Sequence, residues 1–436
     1  MLWKNPGTMT SLLIKGGRVL SPEDSLDGQF DVLMEDGAIR QIAPRLSARA
    51  DETLDATGQV VAPGLVDMHA HLREPGGEAS ETLETGLAAA VAGGFTAVCP
   101  MPNTRPVNDH PESTRAIIEG ALKLGLARVF PIAAVSLGSE GESLTDLPAL
   151  VQAGAVAFSD DGRPVKTAAL LRSVMKQVTP LGVPIVDHCE DLSLSAGGSV
   201  NEGPVAERLG ERGIPNASED VCVARDLIVA EATGARLHVA HLSTARAVEL
   251  VRTGKRRGIR VTCEVTPHHF TLTDEAVLQH GTLAKMNPPL RGAGDVEAVL
   301  AGISDGTVDS IATDHAPHAA ELKQKPLAEA AFGITGFETA LALALTQLVH
   351  TDKISLGHLV VLMSTNPARV IGQPLGRLIV GGAADITLFD PNLEWTYRVA
   401  ASRSKGRNSP FDGWKLRGAV TATVVAGKIV YRRPAV

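Results

Sequence analysis

The sequence predicts an α/β protein: a (β/α)8 TIM-type barrel with a small β-sandwich domain formed by both chain termini. Three observations lead there. Between residues 63 and 375, eight short apolar runs alternate with Ala- and Leu-rich helical stretches. The two ends, 11–62 and 376–436, share a different texture of short β-like runs broken by turns. His and Asp residues recur where the middle strands end, which is the face on which a barrel of this type builds its site.

Residues 1–10 read as an N-terminal extension, with Met9 as a natural start. They lack an apolar core followed by a small-residue cleavage site, so no secretory signal is expected. Ser11-Leu-Leu-Ile-Lys-Gly-Gly is a strand ending in a glycine turn. The run from Phe30 to Ile42 reads as two strands around Asp36-Gly37. The tail answers with strands from Ala384 and from Val420, the latter turning at Gly427-Lys428.

In the middle, the expected strands are Gly64–Leu72, Ala97–Met101, Arg128–Val135, Ala155–Ser159, Pro184–His188, Arg236–His241, Ile259–Thr266 and Ser310–Thr313. Helices are expected over Glu81–Ala92, Asp220–Ala232 and Thr244–Lys255, among others. An open doubly wound sheet would want a glycine-rich dinucleotide fingerprint after an early strand, and none is present.

Composition excludes some functions. The formal charge is −8 and aromatic residues are 3%, which argues against a nucleic-acid partner. No apolar run of transmembrane length occurs, so no membrane partner is expected. The four cysteines form no CxxC pair and read as buried free thiols, which suits a cytoplasmic protein.

The chemistry lies at five strand ends. His69 and His71 alternate along the first strand, so both point one way and can chelate one ion. Ser159-Asp160-Asp161, Asp187-His188, His241 and Asp314-His315 end the fourth, fifth, sixth and eighth strands. Four histidines with shared carboxylates are a ligand set for two cations.

These residues carry a resemblance. Asp67-Met-His-Ala-His-Leu-Arg-Glu-Pro-Gly, Met101-Pro-Asn-Thr-Arg-Pro, Phe158-Ser-Asp-Asp-Gly, Asp187-His-Cys-Glu-Asp, Lys285-Met-Asn-Pro-Pro-Leu-Arg and Ala312-Thr-Asp-His-Ala-Pro-His resemble the amidohydrolase superfamily, and more narrowly its bacterial class I dihydroorotases. The likeness runs from about residue 12 to the C-terminus. It implies zinc, two ions per subunit, with His69 and His71 on one and His188 and His241 on the other. Asp161 would bridge or ligate where hydantoinase-like and allantoinase-like relatives carry a modified lysine. Lys166 lies past that strand end and is a weaker candidate.

The resemblance also makes Asp314 both a metal ligand and the general acid/base. Arg73, Asn103, Asn287, His318 and the backbone at Phe332–Gly333 would bind the substrate. That substrate is dihydroorotate, a cyclic ureide bearing a carboxylate, or N-carbamoyl-L-aspartate in reverse. One departure is Ala331, where relatives tend to carry proline. A homodimer is expected, and aspartate transcarbamoylase is a possible partner. The rivals are another cyclic amidohydrolase of the hydantoinase or allantoinase type, and a non-catalytic partner of aspartate transcarbamoylase. The retained ligand set argues against the second. His238 faces away from His241 and reads as packing or support, and His315 as a residue that orients Asp314.

Overall fold

The computed structural model describes residues 11–434, so the extension expected over 1–10 lies outside the described residues. The middle of the chain forms parallel strands at Leu65–Ala70, Phe95–Pro100, Arg128–Val129, Ile132–Ala133, Ala157–Phe158, Ile185–Asp187, Leu237–Val239, Val261–Val265 and Ser310–Ile311. The third expected strand is thus two short pieces. The break falls at Pro131, which has no N–H to give a ladder. Phe130 N still donates to Val98 O at 3.0 Å, and Val156 N to Pro131 O at 3.1 Å, so the strand stays between its neighbours.

Pairing is parallel and in chain order on both sides of that break. The last strand returns to the first. Ala70 and His315 form a parallel bridge, and His71 N donates to His315 O at 2.8 Å. Asp67 accepts Thr313 N at 3.0 Å and the Thr313 hydroxyl at 2.5 Å, which joins the two strands by side chain as well.

Helices fill the connections. In Ala245–Arg256 the buried residues Ala247, Val248, Val251 and Gly254 recur at helical spacing, so one face packs inward. Thr244 caps its start by accepting Ala247 N at 3.0 Å, and Lys255 and Arg256 sit in the last turn, where cations oppose the dipole. The expected Asp220–Ala232 helix is longer, Asn216–Thr233, because no breaker precedes Asp220 until Pro215.

Both chain ends join one sheet of eight strands. Its strands are Ser11–Ser21, Leu26–Glu35, Ala38–Ala43, Glu52–Asp55, Val60–Pro63, Ile386–Thr396, Lys415–Val425 and Lys428–Arg432. The expected hairpin turn has Asp36 at φ 52° and Gly37 at φ 79°, the left-handed pair that suits a twisted hairpin. The sheet curls. Strand Ala38–Ala43 meets the segment before Ile386 through Ile39 N to Gly382 O at 3.0 Å and Gly381 N to Ile39 O at 2.8 Å. Ile14, Val32, Met34, Ile39, Ile386, Leu388 and Val424 share one buried cluster inside the curl. The buried pair Arg128–Asp385, at 2.6 and 3.1 Å, ties this sheet to the third parallel strand.

Candidate active site

The C-terminal ends of the parallel strands converge on Asp161. His69 Nε2 lies 3.4 Å and His188 Nδ1 3.5 Å from its Oδ1, with His241 Nε2 at 3.7 Å. His71 Nε2 is 3.6 Å from Oδ2. Asp314 faces the same group from the eighth strand, 3.0 Å from His71 and 3.6 Å from His69. All six are buried. Local backbone sets some of these positions: His241 and Asp314 adopt positive φ, 31° and 44°, turning the chain sharply as each strand ends.

Charge explains the clustering. Burial raises the Asp161 carboxyl, but His69, with His188 and His241 close by, holds it well below the usual range. Burial likewise raises Asp314, and His69 and His71 more than reverse it. Burial disfavours a charged His69, yet Asp161 and Asp314 push that ring well above the ordinary value.

The two carboxylates therefore call for positive charge, which a proton on His69 or a bound cation would supply. His69 Nδ1 donates to Glu264 at 2.7 Å, so Nε2 is the nitrogen turned toward Asp161, where a cation in place of the ring's second proton would meet its lone pair. That Nε2 and Asp161 Oδ1 are buried without a hydrogen-bond partner. Two orphaned electron donors facing each other fit a cation between them. Ligand atoms of His69, His71 and Asp314 lie within 4.8 Å of one another, as do those of His69, Asp161 and His241. His69 belongs to both groups. His188 turns Nε2 to Glu190 at 2.9 Å and sets Nδ1 2.9 Å from His241.

Lys166 is not in the site: its ammonium is exposed and faces Glu142 at 3.3 Å. A third buried group, Asp187, Cys189, Cys222 and Asp226, is already neutralised, because Arg225 bonds Asp187 at 3.0 Å and Asp226 at 2.6 Å.

A cavity of about 170 Å³ opens beside the six converging residues, lined by Arg73, Asn103, Asn287, His318 and Phe332 as well as all of the six but His69. Arg73 Nε donates to Pro317 O at 3.1 Å, and burial lowers its pKa only to about 10, so it stays charged. Asn103 Oδ1 is 3.0 Å from His71 Nδ1. Asn287 Nδ2 donates to Glu190 at 3.0 Å and lies beside His188. Gly333 is placed differently from the rest. Its N–H donates to Lys285 O at 2.9 Å and its carbonyl accepts Lys323 at 3.0 Å and Asn408 at 2.9 Å, so its backbone is spent within the protein.

Glu264, Glu190, Lys285 and Lys323 were not anticipated. Glu264 could have been found: it sits inside the seventh strand, where a lone carboxylate in Val261-Thr-Cys-Glu-Val must face a cation or a donor. It bonds His238 too, at 3.2 Å, so His238 supports the site from behind. His315 faces Glu81 at 3.3 Å, and accepts Gly336 N at 3.1 Å, rather than touching the Asp314 carboxylate.

Known proteins resemble this chain. Residues 58–247 match the family model described as Dihydro-orotase-like. A dihydroorotase from Syntrophus aciditrophicus is 50% identical over 423 residues, covering 97% of this chain and 99% of that protein. The chain belongs to the dihydroorotase family. A second member, from Pelotomaculum thermopropionicum, is 51% identical over 419 residues, covering 96% of this chain and 98% of its own. Among solved structures, the L-hydantoinase of Arthrobacter aurescens superposes with a TM-score of 0.88 at 26% identity, covering 98% of this chain and 97% of that one. The fold is therefore shared with cyclic-amide hydrolases, while the sequence groups with dihydroorotases. No helix among the described residues is long and apolar enough to cross a membrane.

Proposed function

We propose that this chain catalyses the reversible hydrolysis of (S)-dihydroorotate to N-carbamoyl-L-aspartate in pyrimidine synthesis. The observation that carries the reading is Asp161, an unmodified carboxylate approached by His69, His71, His188 and His241 beneath a cavity that Arg73 lines. In a hydantoinase-like relative the resemblance places a modified lysine at that strand end. We further read the parallel strands as a closed (β/α)8 barrel over 63–375, and the curled terminal sheet as a two-layered domain of 11–62 with 376–436.

Zinc suits a set of imidazoles and carboxylates, and His69, His71, Asp161, His188, His241 and Asp314 would hold two ions. Bound there, zinc supplies a lowered pKa for water and polarisation of the ring carbonyl. The chain does the rest. Arg73 binds the substrate carboxylate with its planar fork, and the Asn103 amide group adds a donor beside it. Asn287 presents its amide to the ring edge. Asp314, held ionised, takes a proton from the attacking water and returns it to the ring nitrogen as the C–N bond breaks. Phe332 covers the cavity and keeps bulk water out. A homodimer in the cytoplasm, with aspartate transcarbamoylase as a possible partner, accompanies this reading.

Competition between substrates tests it. Dihydroorotate is expected to exceed hydantoin, allantoin and dihydrouracil in kcat/KM by about a thousandfold or more, since only it offers a carboxylate to Arg73. Comparable values for any of the three would return the site to the broader class of cyclic amidohydrolases.

A further inference from the structure

Two lysines lie beneath the segment 327–333, of which Phe332 lines the cavity. Neither belongs to the ligand set. Lys323 is 4% exposed. Its ammonium donates to Ala331 O at 2.8 Å, Gly333 O at 3.0 Å and Lys285 O at 3.3 Å. Three carbonyls match the three N–H groups of an ammonium, and no neutral side chain offers as many from one atom. Lys285 works from the other side. Its Nζ donates to Leu327 O at 2.5 Å and Ala328 O at 3.2 Å, and lies 4.2 Å from the centroid of the Phe332 ring.

The held segment acts on the cavity through one carbonyl. Phe332 O lies 2.6 Å from His318 Nε2, and a carbonyl only accepts, so that nitrogen carries the proton. Burial, with Arg73 nearby, lowers His318 to about 3, so the ring is neutral. Arg73 Nη2 approaches the same Nε2 at 3.4 Å but finds a donor there, not an acceptor. One N–H of Arg73 is thereby left for an anion in the cavity. Gly333 keeps the segment close: a Cβ there would sit 2.5 Å from Ala316 O and 2.8 Å from the His318 ring.

We propose that Lys323 is a positioning residue for the substrate carboxylate, holding the 327–333 segment so that Phe332 O fixes the His318 tautomer and frees Arg73. This deepens the dihydroorotase reading and rests on it.

The test is steady-state kinetics of Lys323→Met, which keeps bulk and removes the donors. KM for dihydroorotate is expected to rise about tenfold or more, the worth of a charge-assisted hydrogen bond, with kcat within about threefold of wild type. Lys323→Arg keeps the charge but spreads its donors over a fork, so partial rescue of KM is expected. If the Met variant does not fold, Lys323→Arg alone is expected to raise KM. A wild-type KM in either folded variant, even with a lowered melting temperature, overturns the proposal by making Lys323 merely structural. If the wild-type chain has no turnover, the reaction assignment fails instead. Lys323 is then judged by calorimetric binding of orotate, a planar ring with the same carboxylate, and unchanged affinity in the variants, or no binding by wild type, overturns it.

Discussion

Replacing Glu264 should weaken zinc binding although Glu264 touches no zinc. Its carboxylate is fully buried and has two partners, His69 Nδ1 at 2.7 Å and His238 Nε2 at 3.2 Å. Burial raises its pKa, but the two histidines reverse this and hold it at about 2, so it is ionised at any working pH. It holds His69 by Nδ1 and so turns Nε2 toward Asp161 and Asp314, where that nitrogen would meet a metal ion. Losing such a partner costs about 10–100-fold in metal affinity. Glu264→Gln belongs at the lower bound, near tenfold or about 1.4 kcal/mol, because the amide oxygen still accepts from His69 while its nitrogen donates to His238. Glu264→Ala belongs at the upper bound, since nothing then holds Nδ1 and the ring loses its orientation. The assay is competition for zinc against a chelator of known affinity, with circular dichroism to confirm the fold. Unchanged affinity in a folded Glu264→Ala protein would refute the claim that His69 is oriented from behind.

Other consequences follow from the same geometry. Asp314→Asn should retain at least one zinc by metal analysis but lose turnover by about a thousandfold or more, since the amide cannot relay a proton; near-normal kcat would remove Asp314 from that role. His318 should give the fold an acid sensitivity. Its folded pKa, lowered to about 3, lies below the ordinary 6.5, so the unfolded chain binds an extra proton between these values and stability is lost as pH falls through that window. Urea midpoints at pH 7 and pH 5 should differ less in His318→Asn than in wild type, and equal differences would contradict the assignment. Asp385→Ala should destabilise the protein by about 1–3 kcal/mol, by removing the carboxylate that bonds Arg128 and accepts Ala426 N, while kcat of the folded fraction is retained.

Much of this was legible because a barrel concentrates its chemistry at strand ends. His69 and His71 share a strand face by period two, and Asp161, His188, His241 and Asp314 each close an apolar run, so chain order already implied convergence. The third strand was less legible: Arg128–Val135 reads as one apolar run, and only the missing N–H of Pro131 divides it. The orientation of the histidine rings was also hidden. It decides which ring nitrogen faces which oxygen, and for His69 and His188 that is set by Glu264 and Glu190, whose roles arise from contacts far apart or off the strand. Lys285 and Lys323 are invisible to any pattern, because a lysine buried under a loop looks in sequence like one on a surface. The closeness of His315 to Asp314 in sequence misleads for a related reason: successive residues at a strand end point apart, and His315 turns to Glu81.

The central claim is that this site opens a carboxylate-bearing cyclic ureide with the help of zinc. Initial rates of (S)-dihydroorotate ring opening by the purified protein, measured before chelation, after it, and after zinc is restored, test that most directly. The account predicts turnover that chelation abolishes and zinc brings back. Turnover that survives complete removal of metal, or none at all from folded, zinc-loaded protein, would contradict it.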